Sequence, residues 1–185
     1  MNYQIKNHRI VKSPINYMKA FINTLLTLSA IIFLLWAGSR IYNSIYFNIH
    51  CGGYLHRAAY ANTVELAAPA LKTAIQYIES NGLTSGYTSV IYRTPDEDVG
   101  FWYSNLIQAE GELVKLDKNS TTLEKSNALM KLRESLVNHD GFLICPEGIS
   151  IYPNNTGYFW AGWISGIALC LTFVVRFLDW ICLRD

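Results

Sequence analysis

Two long apolar runs, one near each end of the chain, enclose a central stretch in which hydrophobic and polar residues recur at shorter intervals. The first run covers residues 20–40 and the second covers residues 158–178. Each is close to the roughly 20 apolar residues that an α-helix needs to cross the hydrocarbon core of a bilayer. The pattern therefore predicts a mainly α protein. Two transmembrane helices flank a small extracytoplasmic helical bundle, residues 41–157, with at most a short two-stranded β element.

Charge decides the orientation of the two predicted spans. Basic residues precede the first run and lie at or beyond the end of the second, namely Lys6, Arg9, Lys12, Lys19, Arg176 and Arg184. Because cytoplasmic segments are rich in lysine and arginine, we expect residues 1–19 and 179–185 to be cytoplasmic tails. The central domain then lies in the periplasm, if the membrane is a bacterial inner membrane. A cleaved signal peptide is the alternative, but the first run exceeds the about 7–15 apolar residues typical of signal peptides.

Within the central domain, the first predicted helix covers residues 54–80. Pro69 lies inside it, and an interior proline removes a hydrogen bond. We therefore expect a kink or two short helices, with Pro69 near the first turn of the second. The sequence Cys51-Gly52-Gly53 predicts a break between this helix and the first span. Residues 83–93 and 149–152 contain Thr, Tyr, Val and Ile without a helical stripe, so we expect two short strands that could pair.

Two further helices are predicted to form an antiparallel hairpin. Thr94 and Glu97, with a proline directly after the threonine, match a capping box at a helix start. The apolar residues that follow are three or four positions apart: Val99, Trp102, Leu106, Ala109, Leu113 and Leu116. A second helix starts at Thr121 or Thr122 and has a leucine face, formed by Leu129, Leu132 and Leu136. We expect the hairpin to pack on the helix of residues 54–80.

Two of the four cysteines, Cys51 and Cys145, lie in the predicted extracytoplasmic domain, near its first and last residues. Disulfides persist on the oxidising side of a membrane, so we expect these two residues to form one. Metal binding is the alternative, because thiolates and imidazoles suit zinc and His50, His56 and His139 lie at the same end of the domain. The spacing of these residues matches no known zinc motif, and we expect no bound metal.

Two sets of residues are candidates for contacts with other helices or proteins. Phe101 and Tyr103 flank the apolar seam of the hairpin, and aromatic side chains beside a core often anchor partner proteins. In the second span, Gly162, Gly166 and Cys170 recur every four residues. Small residues on one face let membrane helices approach closely. We expect this face to pack on the first span or on a partner subunit.

The remaining chemistry of the sequence is sparse. The net charge of +1 and the lack of a basic stripe argue against a nucleic-acid partner. The acidic run Asp96-Glu97-Asp98 lacks the alternating spacing of a calcium loop and suits the positive end of a helix dipole. No set of residues forms a recognisable catalytic or cofactor motif, so we expect neither a cofactor nor enzymatic activity.

These observations favour a protein that works through contacts. The leading hypothesis is an accessory subunit or assembly factor of a membrane complex, binding a protein partner or a second copy of itself through the helical domain. The second is an extracytoplasmic ligand-binding or sensing module that signals through a partner. An apolar pocket between the helices near Phe101 and Tyr103 would favour it. The third is a membrane enzyme with a site formed by His50, His56 and His139.

Overall fold

A computed structural model of the protein describes residues 14–91, 93–116, 120–151, 153 and 155–182. These residues form six α-helices and no strands, so the prediction of a mainly α fold is confirmed for the described part of the chain. The helices are α1 Pro14–Phe47, α2 Gly53–Ala59, α3 Val64–Ser80, α4 Val99–Lys115, α5 Thr122–Leu136 and α6 Thr156–Cys182. The described residues leave out most of the predicted tail 1–19 and the end of the predicted tail 179–185. They also leave out the side chain of Cys182.

The chain divides into two compact units. One contains the chain up to Ala37 and from Trp160 onward, which includes most of the two apolar helices α1 and α6. Both helices are long and apolar enough to cross a membrane, with only 6% and 17% of their most apolar windows buried. A core helix of a water-soluble domain would be mostly buried. The large apolar surface of these two helices therefore needs a cover other than water.

The second unit, Gly38–Phe159, begins inside α1. The predicted break at Cys51-Gly52-Gly53 is wrong, because α1 continues through a π-helical turn, Asn48–Gly52, directly into α2. Gly52 lies in a close contact: an added Cβ would lie 2.7 Å from Asn48 Oδ1 and 3.3 Å from Leu143 Cδ1, so these side chains would have to shift. Glycine at this position therefore allows close approach within a helix and does not end it.

Pro69 does not break the helix that contains it. The interruption falls at residues 60–63, and Val64 starts α3 with the extended Thr63 as its N-cap. Pro69 is thus the sixth residue of α3, where its missing N–H removes only the hydrogen bond to the carbonyl of Glu65. The expected division into two short helices is therefore present, with Pro69 in the second turn of the second helix and not in its first.

The bundle has one core, to which α2 and α3 contribute half of the buried apolar residues. α4 packs on α3, and α5 packs on α2. The most completely buried large side chains are Leu55, Leu71, Ile78, Val99 and Leu136. The apolar seam of α4 faces this core, with Val99, Trp102, Leu106 and Leu113 buried and Ala109 and Leu116 partly buried.

The start of α4 is set by a different cap from the one expected, whereas α5 starts at the predicted position. Thr94 precedes only a short 3₁₀ turn, Pro95–Glu97, and its hydroxyl donates to Glu97 Oε2 at 2.7 Å. The N-cap of α4 is Asp98, whose carboxylate accepts from the Phe101 amide at 3.1 Å. A complete capping box occurs instead at α5, between Thr121 and Glu124. The predicted position of the cap at Thr94 is therefore wrong by one turn.

The two predicted strands do not form among the described residues. The loop of residues 81–98 turns at Gly82 and Gly86, whose φ values of 67° and 101° favour glycine. Its backbone bonds to the start of α4, with Val99 N–H donating to Gly86 O at 3.0 Å. Residues 149–151 lie in a turn. Short apolar segments of this kind are ambiguous between strand and loop, and tertiary packing decides between them.

Candidate partner-binding groove between α4 and α5

A groove separates α4 from α5 on the surface of the bundle. Because α4 packs on α3 while α5 packs on α2, the two helices contact each other less extensively than they contact the core pair. The space between them is a cavity of about 820 Å³. The segment from Leu143 to Glu147 closes one side of the cavity. The predicted hairpin is thus present as two successive helices, but it is splayed and not tightly packed.

The floor of the groove is apolar. It is formed by Leu106 and Leu113 of α4 and by Leu132 of α5, all of which are buried. The segment from Leu143 to Glu147 is the third wall of the groove, beside α4 and α5. Trp102 holds this wall in place, since its Nε1–H donates to the main-chain carbonyl of Ile144 at 3.0 Å. An apolar floor held by core side chains provides a preformed binding surface.

The rim of the groove is strongly acidic. The described lining residues include one basic side chain, Lys131, against six carboxylates: Asp96, Glu97, Asp98, Glu112, Glu134 and Glu147. Lys131 Nζ lies 2.6 Å from Glu112 Oε1, so this pair joins α5 to α4 across the groove. Both side chains are solvent-exposed, and a surface pair of this kind contributes little to stability. The arrangement favours a ligand that combines apolar surface with positive charge.

The two predicted interface aromatics have different roles in the structure. Phe101 lines the groove and is 64% exposed. Tyr103 is not among the groove residues; it packs against the core, and its hydroxyl donates to Glu79 Oε1 at 2.7 Å. The Glu79 carboxylate raises the pKa of Tyr103. Phe101 is therefore available to a partner, whereas Tyr103 joins α4 to α3.

Sequence reasoning did not identify most of the groove. It gave no functional role to Glu112, Lys131 or Glu134. A second stripe along α4 could have revealed it. Each residue of this stripe directly precedes a residue of the buried seam, so the stripe has the same helical spacing of four, three and four positions. Its members are Phe101, Asn105, Gln108 and Glu112. Such a stripe, aromatic at one end and polar along its length, indicates a helix face that borders a groove.

The two cysteines of this unit are free thiols in the structure. Cys51 is completely buried, and Cys145 is partly buried and lines the groove. Burial, and then the electrostatic effect of Cys145, raises the pKa of Cys51 to about 12. Burial and the nearby Glu147 raise the pKa of Cys145. Burial therefore holds both thiols in the protonated form.

The histidines make local contacts. His50 stacks on Tyr46 with ring centroids 4.1 Å apart, and its Nδ1 lies 2.9 Å from the Tyr46 carbonyl oxygen. His56 stacks on Tyr60 at 6.2 Å, and His139 lies in the turn after α5. In the part of the chain that the structure describes, no three His, Cys, Asp or Glu side chains are arranged to hold a metal ion.

The small-residue face of α6 contacts α1 at two of its three predicted positions. A Cβ at Gly162 would lie 2.6 Å from Trp36 Nε1, and one at Gly166 would lie 3.6 Å from Phe33 Cε2. Cys170 is exposed in this single chain, so its predicted packing on a partner subunit stays a prediction. Steps of four residues drift by about 40° each on a helix of 3.6 residues per turn. The buried line therefore leaves the four-residue stripe and passes through Ser165 and Thr172.

Comparison of this chain with protein-family models, curated proteins and solved structures finds no match. The function is therefore inferred from the geometry of the groove and the two apolar helices.

Proposed function

We propose that this chain is a two-pass membrane protein whose extracytoplasmic helical domain binds a protein partner in the α4–α5 groove. It acts as an accessory subunit or assembly factor of a membrane complex. The observation that carries the proposal is the open groove itself, with an apolar floor, an acidic rim and the exposed Phe101. Exposed apolar surface framed by polar residues is characteristic of binding sites.

The membrane assignment is supported by the surface of α1 and α6. Large apolar side chains that water would not solvate favourably are exposed along both helices, including Phe21, Leu34, Leu35, Ile164 and Phe173. Hydroxyls in these helices bond to their own backbone: Thr24 Oγ1 donates to Ala20 O at 3.0 Å, and Thr172 Oγ1 donates to Ala168 O at 2.8 Å. Such bonding lowers the free energy of inserting a hydroxyl into lipid. With basic residues flanking the spans, both termini lie in the cytoplasm and the groove lies in the periplasm.

The chemistry of the groove indicates the kind of partner segment it accepts. An amphipathic helix could place its apolar side chains on the floor formed by Leu106, Leu113 and Leu132, as helix-binding grooves commonly do. Lysine or arginine on its flanks would meet the carboxylates of the rim. Charge complementarity of this kind mainly increases the association rate and the specificity of binding.

The experiment is affinity purification of the full-length protein from its native membrane in mild detergent, followed by mass spectrometry. We expect a stoichiometric partner that is lost with Phe101→Ala and retained with Ile107→Ala. Ile107 is 37% exposed on α4 and lies outside the groove, which makes it a matched control. The partner should also dissociate as salt is raised. A single protein species, unchanged by Phe101→Ala, would contradict the proposal.

A second candidate function is a ligand-binding or sensing module. The cavity of about 820 Å³ near Phe101 favours it, because small-molecule sites typically occupy about 300–1,000 Å³. The same acidic rim would select a cationic amphiphile. A thermal shift with a cationic amphiphile, but not with an anionic one of equal chain length, would favour this function. Loss of the shift with Phe101→Ala would locate the ligand in the groove.

The proposal includes a disulfide between Cys51 and Cys145 in the periplasm. It is supported by their burial and by the electrostatic interaction between the two thiols. The reaction removes a proton from each thiol and passes two electrons to an oxidised thiol–disulfide exchange protein, which becomes a dithiol. Alkylation of the unfolded native protein, before and after reduction, tests it. We expect two more alkylated cysteines in the reduced sample than in the unreduced one. Equal numbers of alkylated cysteines in the two samples would exclude the disulfide.

A further inference from the structure

The helix α1 carries an exposed apolar seam along one of its sides. The seam residues follow one another at alternating spacings of four and three positions. They are Tyr17, Phe21, Thr24, Leu28, Ile31, Leu35, Gly38, Tyr42 and Ile45. All nine are exposed, and the exposed fraction of the seven large side chains ranges from 54% to 69%. Alternating spacings of four and three are the pattern by which two helices pack along a coiled-coil seam.

This seam is distinct from the side of α1 that packs within the chain. The packed side consists of less exposed residues, namely Ile22, Leu26, Ser29, Phe33 and Trp36. Of these, Phe33 and Trp36 lie next to Gly166 and Gly162 of α6. At 100° per residue, the exposed seam is centred about 150° around the helix from the packed side. α6 therefore cannot cover both sides of α1.

The seam has a seven-residue repeat that contact with lipid does not require. One column of it, with a residue at every seventh position, contains only large apolar or aromatic side chains: Phe21, Leu28, Leu35 and Tyr42. A column on another side of the same helix contains only small or polar residues: Asn23, Ala30, Ala37 and Ser44. Lipid needs an apolar surface of any pattern, whereas a sustained seven-residue repeat is suited to a supercoiled partner helix.

The last turns of the seam extend beyond the reach of lipid. The proposed first span ends at Arg40, and Ile45 and Ile49 lie roughly 8 and 13 Å beyond it at about 1.5 Å per residue. The headgroup layer adds only about 5–8 Å to each side of the hydrocarbon core. Ile49, in the π-helical turn after α1, is 61% exposed. Because water solvates isoleucine poorly, this end needs a protein surface to cover it.

The charges of α1 favour a second copy of the same helix as that cover. Lys19 and Arg40 are the charged residues of α1, and they are 21 positions apart, which is three seven-residue repeats. Both belong to the column of Leu26 and Phe33 on the packed side, so no charge lies in the exposed seam. In a symmetric pair each seam residue meets its own copy, and a charge there would repel itself.

The size of the seam is also sufficient for a stable pair. If each of the seven large side chains lost roughly 100 Å² of accessible surface, a pair would bury on the order of 1,400 Å². Stable protein interfaces typically bury about 1,200–2,000 Å². Two copies inserted with the same topology place their α1 helices parallel, with the seams in register.

We propose that this chain forms a parallel homodimer through the exposed seam of α1. The inference rests on the proposed membrane anchoring, but it does not depend on the partner of the α4–α5 groove. Within the bilayer the seam contributes van der Waals packing, since lipid is as apolar as its side chains. Beyond the bilayer, pairing removes Tyr42, Ile45 and Ile49 from water. The dimer would hold two grooves on the same side of the membrane.

The first test is cysteine cross-linking of the full-length protein in native membranes. The parent carries Cys170→Ala and Cys182→Ala, and it gives the background from Cys51 and Cys145. Tyr42→Cys and Ile45→Cys should form at least fivefold more covalent dimer than Ser44→Cys after mild oxidation, as seen on non-reducing gels. Ser44 is the matched control, because it is exposed and lies between the two seam positions but in the polar column.

The second test measures dimerisation without a cross-link, by sedimentation equilibrium in mild detergent. Ile45→Glu places two like charges opposite each other and should weaken the dimer at least tenfold. Ser44→Glu adds the same charge outside the seam and should leave the dimer unchanged. Phe101→Ala should also remain dimeric, because the groove lies on other helices.

Each contrary outcome overturns a defined part of the proposal. Equal cross-linking at Ser44→Cys and Ile45→Cys, or equal dimerisation of Ile45→Glu and the wild type, would exclude the seam as the interface. A cross-linked product that contains a different protein would assign the seam to that protein. A monomeric wild type without cross-links would show that lipid and detergent alone cover α1. Release of the protein from native membranes by alkaline carbonate would refute the membrane anchoring itself.

Discussion

The indole of Trp102 donates a hydrogen bond to the main-chain carbonyl of Ile144, with 3.0 Å between Nε1 and O. This bond joins the first turn of α4 to the segment that forms the third wall of the groove. Trp102→Phe keeps an aromatic ring in the core but leaves the Ile144 carbonyl without this donor. We expect a loss of about 1–2 kcal/mol in the free energy of unfolding, measured by urea titration in detergent with circular dichroism at 222 nm.

The matched control for this substitution is Trp163→Phe. Trp163 is 57% exposed on α6, in the other unit of the chain. Trp163→Phe should leave the urea transition of the domain unchanged. A partner that depends on the third wall of the groove should bind Trp102→Phe more weakly than the wild type. Equal stability of the two variants would show that the indole bond does not hold the wall in place.

A second prediction concerns the contact between Tyr103 and Glu79. Tyr103→Phe removes the bond from α4 to α3 but leaves the groove intact, so we expect a modest loss of stability, about 1 kcal/mol or less. Partner binding should not change. Phe101→Ala should show the opposite result, with unchanged stability and lost binding, because Phe101 is exposed at the groove. The same urea titration and affinity purification measure both quantities. A binding defect in Tyr103→Phe would contradict this division.

These two aromatics also show what the sequence could and could not predict. The helical spacing of Trp102, Leu106 and Leu113 was sufficient to predict α4 and its buried seam. Whether Phe101 and Tyr103 are free or bonded depends on α3, which is distant in the sequence. The groove exists because α4 and α5 pack on different helices, and no local pattern encodes that choice. Periodicity therefore predicted the elements, but not the space between them.

The helix boundaries were less predictable for a related reason. Gly52 suggests a break, yet its lack of a side chain allows the close approach of Leu143, more than 90 residues later. Pro69 correctly suggests two short helices, yet the interruption lies at residues 60–63 and Pro69 is in the second turn of α3. In both cases the residue type has two physical uses, and only the tertiary environment distinguishes them.

The contact between Gly162 and Trp36 gives a third prediction, for the apolar helix pair. Gly162→Ala would place a methyl group within 2.6 Å of the Trp36 ring, so either the Trp36 side chain or one of the two helices has to move. We expect a loss of about 1–3 kcal/mol, typical of overpacking, measured as a lower Tm in detergent. Combining the substitution with Trp36→Leu should restore part of the stability.

Gly38→Ala is the control for the glycine substitution. Gly38 lies inside α1, and an added Cβ there would meet no atom within 4 Å. Because alanine favours helix by up to about 1 kcal/mol over glycine, we expect unchanged or higher stability. If Gly38→Ala and Gly162→Ala lowered the Tm equally, the effect would not arise from contact with Trp36.

The last prediction follows from the buried thiol of Cys51. In the reduced protein, its pKa rises from an ordinary value of 9.0 to about 12. Between these values the folded state keeps a proton that the unfolded state has lost. The contribution of the Cys51 thiol to the free energy of unfolding is fully present below pH 9. Above pH 9 it declines by about 1.4 kcal/mol per pH unit. We expect the stability of the wild type to decrease more steeply above pH 9 than that of Cys51→Ala, in urea titrations with reductant present.

Cys170→Ala serves as the comparison, since Cys170 is exposed on α6. This variant should keep the steep pH dependence of the wild type.

The protonated Cys51 thiol also implies slow reactions, because the thiolate is the nucleophile in alkylation and in thiol–disulfide exchange. Folded, reduced protein should therefore alkylate at Cys145 before Cys51 and should reoxidise slowly until the domain opens. Rapid labelling of Cys51 in the folded protein would contradict its burial. Parallel pH dependences for wild type and Cys51→Ala would show that ionisation of Cys51 does not limit stability in alkali.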